Sequence, residues 1–404
     1  MARLGRHSGF IVAAYAFFVT MLGTTLPTPL YPLLQERYSF GELLTTVIYA
    51  IYAIGVVAGL ILFGALSDAI GRKPLLLAGL ALSALSALLF LVATSLAPIV
   101  AARVVSGFSA GMYTGTATAY LVDLAPEHRR RFASLLAVIV NLCGLGAGAL
   151  LSGLAAAYGS SPLRLPFAID LALVAIAAAS LAFAPETVRQ RKHGFQLQRL
   201  GVPHEMRGVF VRSATAGFAA SAVAGVFSSV VPVFLGHTLD EHSPVLAGGI
   251  VFVFMEMALV GQLIVRRLGE SAALATGCAC LMAGALLLAA GVALESLAAT
   301  IASSVLAGIG QGVAFGAALA AINLRAPVER RGETASSFFV VAYVGLSVPV
   351  IGCGLAIDAT SLRAAASVFC LGVAALVAVV LVSQLRVAAR RPAGEPATAS
   401  GDAR

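Results

Sequence analysis

The chain has 404 residues, of which 60% are apolar and only 11% charged, with a formal net charge of +8. A soluble protein of that composition would expose too much hydrocarbon to stay in solution, so the composition excludes the water-soluble classes and indicates an integral membrane protein. The sequence has no glycine-rich phosphate loop, no His-Glu-x-x-His pair and no Gly-x-Ser-x-Gly elbow. This argues against direct ATP drive and against an embedded enzyme, and no cofactor is expected.

A hydrocarbon core about 30 Å thick needs about 20 mostly apolar residues per helix. That rule predicts twelve spans, near 9–31, 42–66, 74–95, 97–123, 132–157, 164–184, 211–235, 244–266, 272–293, 296–323, 334–357 and 362–386. The first follows Arg3 and Arg6 and ends in TTLPTPLYP, which is no cleavage site, so it is expected to be a retained helix. Pro27, Pro29 and Pro32 there end or kink the helix and free carbonyls, as at a gate, a cavity wall or a plain exit loop. Between the second and third spans stands GALSDAIGRKP. Gly64 and Gly71 permit a tight loop and close backbone approach. Asp68 can pair with Arg72 or face the positive N-terminus of a neighbouring helix, and Lys73 adds to the basic loop.

The fourth span carries Arg103 ahead of a glycine ladder, Gly107, Gly111 and Gly115, and ends near Asp123. An arginine inside a membrane helix costs several kcal/mol unless paired or hydrated, which makes Arg103 a functional candidate; the alternative is snorkelling to the outer interface. In the fifth span NLCGLGAGALLSG sets Gly144, Gly148 and Gly153 at a spacing that packs helices in lipid. Two acids stand at membrane depth, Asp170 in the sixth span and Glu256 in the middle of the eighth. Each can carry a proton, face a cationic group on a solute, or simply hold helices together. Asn141, Gln262, Gln311, Asn323 and Tyr343 can supply neutral hydrogen bonds to a cavity or between helices. All five cysteines lie inside apolar runs and read as small buried hydrophobes, not as a disulfide or metal framework.

Charge gives the orientation. With the N-terminus in the cytoplasm, 22 of the 26 lysines and arginines fall on the cytoplasmic side, which predicts cytoplasmic termini at both ends. The positive charge is therefore a topology signal and no argument for nucleic-acid binding. The longest polar stretch, 185–210, divides the helices six and six. A shift of 201 residues lays Gly107, Gly111 and Gly115 on Gly308, Gly312 and Gly316, Arg129-Arg130 on Arg330-Arg331, Gly144 on Gly345 and Gly153 on Gly354. One shift holding over two helices and a loop indicates duplication, the construction by which transporters build a central site opening alternately to each side. The expected organisation is a six-helix bundle over 1–184, a cytoplasmic loop over 185–210, a second bundle over 211–386 and a short disordered cytoplasmic tail over 387–404, where RRPAGEPATASGDAR stands.

These residues resemble those of the major facilitator superfamily over essentially the whole chain. Gly64-x-Leu66-x-Asp68-x-x-Gly71-Arg72-Lys73 is similar to the family's signature in its loop between helices 2 and 3, departing from it at Ala69, where a basic residue is frequent. The resemblance implies an all-α membrane fold, two pseudo-symmetric bundles of six helices around a midplane cavity. It further implies that Asp68, Arg72 and Asp123 latch the halves in the outward-facing state, and that Arg103, in Arg103-x-x-x-Gly107, belongs to proton coupling. The fifth span resembles the motif of drug:proton antiporters, with Ala149 where those have proline. The expected function is secondary transport of a small organic solute across an inner membrane, proton-coupled and carried by a monomer in the lipid bilayer. Efflux of drugs or metabolites leads, uptake of a metabolite or vitamin follows because of Ala149, and a sensor without turnover is the third reading.

Overall fold

The computed structural model describes residues 4–64, 66–188, 198–238 and 241–389, with the side chains of Asp68 and of 237, 238, 270, 271 and 387–389 outside the description. The predicted tail beyond 389 and the middle of the central connection, 189–197, also lie outside the described residues. Among the described residues there is no strand, and twelve helices are long and apolar enough to cross a membrane. They are α1 (Arg6–Tyr38), α2 (Glu42–Phe63), α3 (Arg72–Leu91), α4 (Leu96–Leu124), α5 (Glu127–Tyr158), α6 (Leu165–Ala182), α7 (His204–Ser229), α8 (Pro244–Val265), α9 (Ala272–Ala293), α10 (Leu297–Arg325), α11 (Val328–Ala359) and α12 (Leu362–Arg386).

Local chemistry sets several helix ends. Ser243 and Ser296 precede α8 and α10, and each hydroxyl accepts an orphan amide hydrogen of the first turn, from Leu246 and Ala299 at 3.3 Å. The prolines of α1 interrupt it without ending it: an α-helical stretch Arg6–Thr25 passes through a 3-10 turn at Thr28–Leu30 and resumes at Tyr31–Tyr38. Pro27 and Pro29 withhold amide hydrogens that the regular ladder would need there, so the chain tightens for one turn. Pro349 is accommodated inside α11.

The helices form two sets of six with matching contacts. In the first set α1 packs on α4 and α5, α2 on α4, and α3 on α4 and α6; in the second, α7 packs on α10 and α11, α8 on α10, and α9 on α10 and α12. The duplicated glycines do the same work in both. Gly144 of α5 lies against the Phe18 carbonyl of α1, where an added Cβ would stand 2.6 Å away, and Gly345 of α11 lies against the Phe218 carbonyl of α7 at 2.5 Å. Gly107 and Gly111 bring α4 onto Gly55 and Gly59 of α2, with added Cβ atoms only 2.9 and 3.1 Å from their Cα atoms. In lipid there is little hydrophobic drive between helices, so this close backbone approach and its dispersion energy hold the bundles together.

The two sets meet along α5 against α8 and α2 against α11. The odd-numbered connections lie at one end of these seams and the basic, even-numbered ones at the other. Near the odd-numbered connections the seams are tight. Gly153 of α5 abuts Val245 of α8 at 3.2 Å from an added Cβ, and Gly354 of α11 abuts Thr46 of α2 at 3.1 Å.

Candidate functional site

Where the halves face each other there is a cavity of about 180 Å³ lined by α1, α2, α4 and α5 of one half and α7, α8, α10 and α11 of the other. The remaining helices α3, α6, α9 and α12 do not reach it. Arg103, Asn141, Gln311 and Tyr343 line this cavity together, as does Gln262. Thr24, Thr28, Tyr49, Tyr52, Ser221 and Ser228 join them and were not singled out in the sequence. A hydroxyl in an apolar helix gives no sign of whether it faces a cavity or its own backbone; the Thr20 and Ser229 hydroxyls, for instance, donate four residues back to Ala16 and Gly225.

Arg103 is 2% exposed, which removes the snorkelling alternative. Its Nη1 donates to the Thr24 carbonyl at 2.9 Å, and Nε and Nη2 donate more weakly to the carbonyls of Ile48 and Tyr49, both at 3.4 Å. The guanidinium also lies 4.7 Å from the Tyr52 ring centre and 5.7 Å from that of Tyr49. Thr24 belongs to the last turn of the α-helical stretch Arg6–Thr25, where carbonyls lose their regular intrahelical partners.

Asp170 and Glu256 do not line the cavity. Asp170 is 2% exposed on α6 and faces α1, where an added Cβ on Gly23 would stand 3.0 Å from its Oδ2; its Oδ1 is buried without a hydrogen-bond partner among the described residues. The turn of α1 at Gly23-Thr24 thus has the carboxylate on one side and, through the Thr24 carbonyl, Arg103 on another. Glu256 is half-buried in the α5–α8 seam, where the Cys143 thiol donates to its Oε2 at 3.4 Å and Gly146 leaves room for it. This Cys143–Glu256 contact joins the two halves.

The glycines of α5 divide between two partners. Gly144 and Gly148 face α1, where Thr25 donates to the Leu145 carbonyl at 2.7 Å, whereas Gly146 and Gly153 face α8. The same helix therefore holds the first half together and forms the seam with the second.

At the basic end, Gly64 ends α2 and a short helix Leu66–Ile70 contains Asp68. Gly71 follows at φ 110°, a conformation that L side chains rarely adopt. Arg72 pairs with Asp123 at 3.4 Å and also donates to Ser67. Glu186, not singled out in the sequence, accepts the first amides of α3, from Arg72 and Lys73, at 3.1 Å each. A carboxylate at a helix N-terminus meets unpaired N–H groups and the positive end of the dipole. The Lys73 ammonium donates to the Ala182 and Ala184 carbonyls at 2.6 and 3.0 Å. These bonds all lie within the first half, on the short helix Leu66–Ile70, α3, α4, the end of α6 and the segment after it.

A sequence profile of the Major Facilitator Superfamily matches residues 13–350. The chain belongs to the Major Facilitator Superfamily. This facilitator is 26% identical over 299 residues to Multidrug resistance protein 2 of Bacillus subtilis, covering 69% of this chain and 71% of that one. It is also 27% identical over 114 residues to the arabinose-proton symporter of Bacillus subtilis, 28% of this chain and 25% of the symporter. A solved bacterial homologue of the human lysosomal transporter Spinster, inward-facing and unoccupied, superposes with a TM-score of 0.70 over 94% of this chain and 95% of that one. Identity to it is 15%, so that likeness concerns the fold. The protein is a multi-pass membrane transporter of this superfamily, not an enzyme.

Proposed function

We propose that this facilitator is a proton-coupled secondary transporter that exports a small organic solute through the central cavity, with the basic connections and both termini in the cytoplasm. The observation that carries the reading is a cavity lined by four helices from each half, with tight glycine contacts between the halves near the odd-numbered connections. A site shared by two pseudo-symmetric halves changes its access when one half rocks against the other. With those connections outside, the arrangement corresponds to a state closed outward. Asp170 and Glu256 are the proton carriers: both are carboxyls at membrane depth, one behind the α1 turn that holds Arg103 and one in a seam that must part. Asp68, Arg72 and Asp123 belong to the conformational switch at the cytoplasmic face, with Glu186 supporting α3 there.

Export is favoured by the glycine pattern of α5 and by similarity to a multidrug resistance protein over most of the chain. Proton-driven uptake is the second reading, favoured by Ala149 at the position where drug:proton antiporters have proline and by the partial match to a proton symporter. Reconstituted protein given an outward or inward proton gradient distinguishes these: export predicts exchange of solute against protons and uptake predicts movement with them. Solute flux indifferent to a proton ionophore would defeat both, and binding without counterflow would defeat transport itself.

A further inference from the structure

We propose that the central cavity takes a small amphiphilic organic acid whose anionic group sits on Arg103; this rests on reading the cavity as the transport site. Among the described residues lining the cavity, Arg103 is the one with a permanent charge, and no carboxylate accompanies it. A guanidinium has five N–H donors. Three of those of Arg103 are directed to backbone carbonyls, and the other two have no partner among the described residues. Carbonyls and the Tyr52 face satisfy part of its hydrogen bonding but leave its net charge uncompensated in a low-dielectric setting. An entering anion would restore that balance, through the planar fork that arginine offers to carboxylates. A cationic solute would meet an uncompensated positive charge with no acid in the lining to offset it.

The two acids at membrane depth do not change this. Asp170 lies across the α1 turn with its carboxylate against Gly23, and Glu256 is held in the α5–α8 seam by Cys143. From the second half, Phe315, Phe339, Leu346 and Met255 add apolar surface to the lining, beside the polar side chains of Gln262, Gln311 and Tyr343. A volume of about 180 Å³ suits one or two rings with an acid group. The geometry therefore asks for a weak monoacid with a compact apolar body, and it sets the cavity apart from one built around a carboxylate for cationic drugs.

The test uses triplets of similar size that carry different charges on the same aromatic body: benzoate, benzamide and benzylammonium, and 2-naphthoate, 2-naphthamide and 2-naphthylmethylammonium. Binding to the purified full-length protein is measured by equilibrium dialysis and by the shift in melting temperature. A carboxylate is expected to bind about tenfold or more tighter than its amide, with the ammonium weakest. Arg103→Gln should equalise acid and amide, and Arg103→Lys should keep a reduced preference for the acid. The wild-type contrast decides the charge preference even if Arg103→Gln does not fold, because Arg103 also ties α1, α2 and α4 together; Arg103→Lys then assigns that preference to the residue. Carboxylates that fail to bind, an amide or ammonium that binds as tightly, or a folded Arg103→Gln that keeps the preference each overturn the proposal. Counterflow of labelled benzoate or 2-naphthoate separates it from the transport reading. Acid-selective binding without exchange would sink transport and leave the anion site, whereas exchange of the ammonium compounds would sink the anion site and leave transport.

Discussion

Arg103, Asp170 and Glu256 are three charges that the sequence places at membrane depth, and the fold assigns each a different setting. Arg103 faces the cavity and holds three carbonyls, Asp170 faces a helix turn, and Glu256 faces the other half of the molecule. Their neutral isosteres should separate these settings. Asp170→Asn and Glu256→Gln remove a titratable proton with little change of shape, so the pH dependence of counterflow should flatten while melting stays within a few degrees of wild type. A pH profile unchanged in both variants would return the two acids to packing roles. Glu186→Gln should behave in the opposite way. It weakens charge-assisted bonds to the first amides of α3, costing about 0.5–2 kcal/mol, and should lower the melting temperature with the pH profile unchanged.

At the scale of elements, helix ends and helix contacts carry the specificity. Gly71 combines φ 110° and ψ 154° with a carboxylate oxygen of Glu186 only 2.5 Å from where a Cβ would stand. Gly71→Ala should therefore cost about 1–3 kcal/mol in backbone strain alone, and more once Glu186 is displaced, seen as reduced thermal stability in detergent. Gly148 of α5 packs directly on the Leu22 carbonyl and the Thr25 side chain of α1. Gly148→Val has no space to enter, and the expected result is loss of folded protein on size-exclusion chromatography, whereas the same change at Gly115, which has no neighbour within 4 Å, should be tolerated. If both positions tolerate valine, close packing of α5 on α1 is not what holds the first half.

For the whole molecule, the decisive feature is that the two halves meet along the α5–α8 and α2–α11 seams, which the proposed alternating access requires to open. Ser347 of α11 donates to its own helix and reaches the Ala50 carbonyl of α2 at 3.5 Å. In a protein whose five native cysteines are replaced, Ala50→Cys with Ser347→Cys should form a disulfide on oxidation. Counterflow should then stop and return on reduction; exchange that continues at an unchanged rate in the cross-linked protein would show that this seam does not part. Much of this architecture was legible in the sequence because it follows from one-dimensional quantities. Helix number follows from the length of apolar runs against bilayer thickness, expected orientation from where lysine and arginine fall, and duplication from a constant offset between glycines. Arg103 stood out for the same reason, as a charge in a hydrocarbon-length run. Which hydroxyls line the cavity, that Asp170 and Glu256 lie outside its lining, and that Glu186 caps α3 depended on rotation of each helix about its axis and on contacts between residues more than one hundred positions apart. A membrane helix is apolar on nearly every face, so its sequence carries little periodicity to fix that rotation. Only packing of the twelve helices decided it.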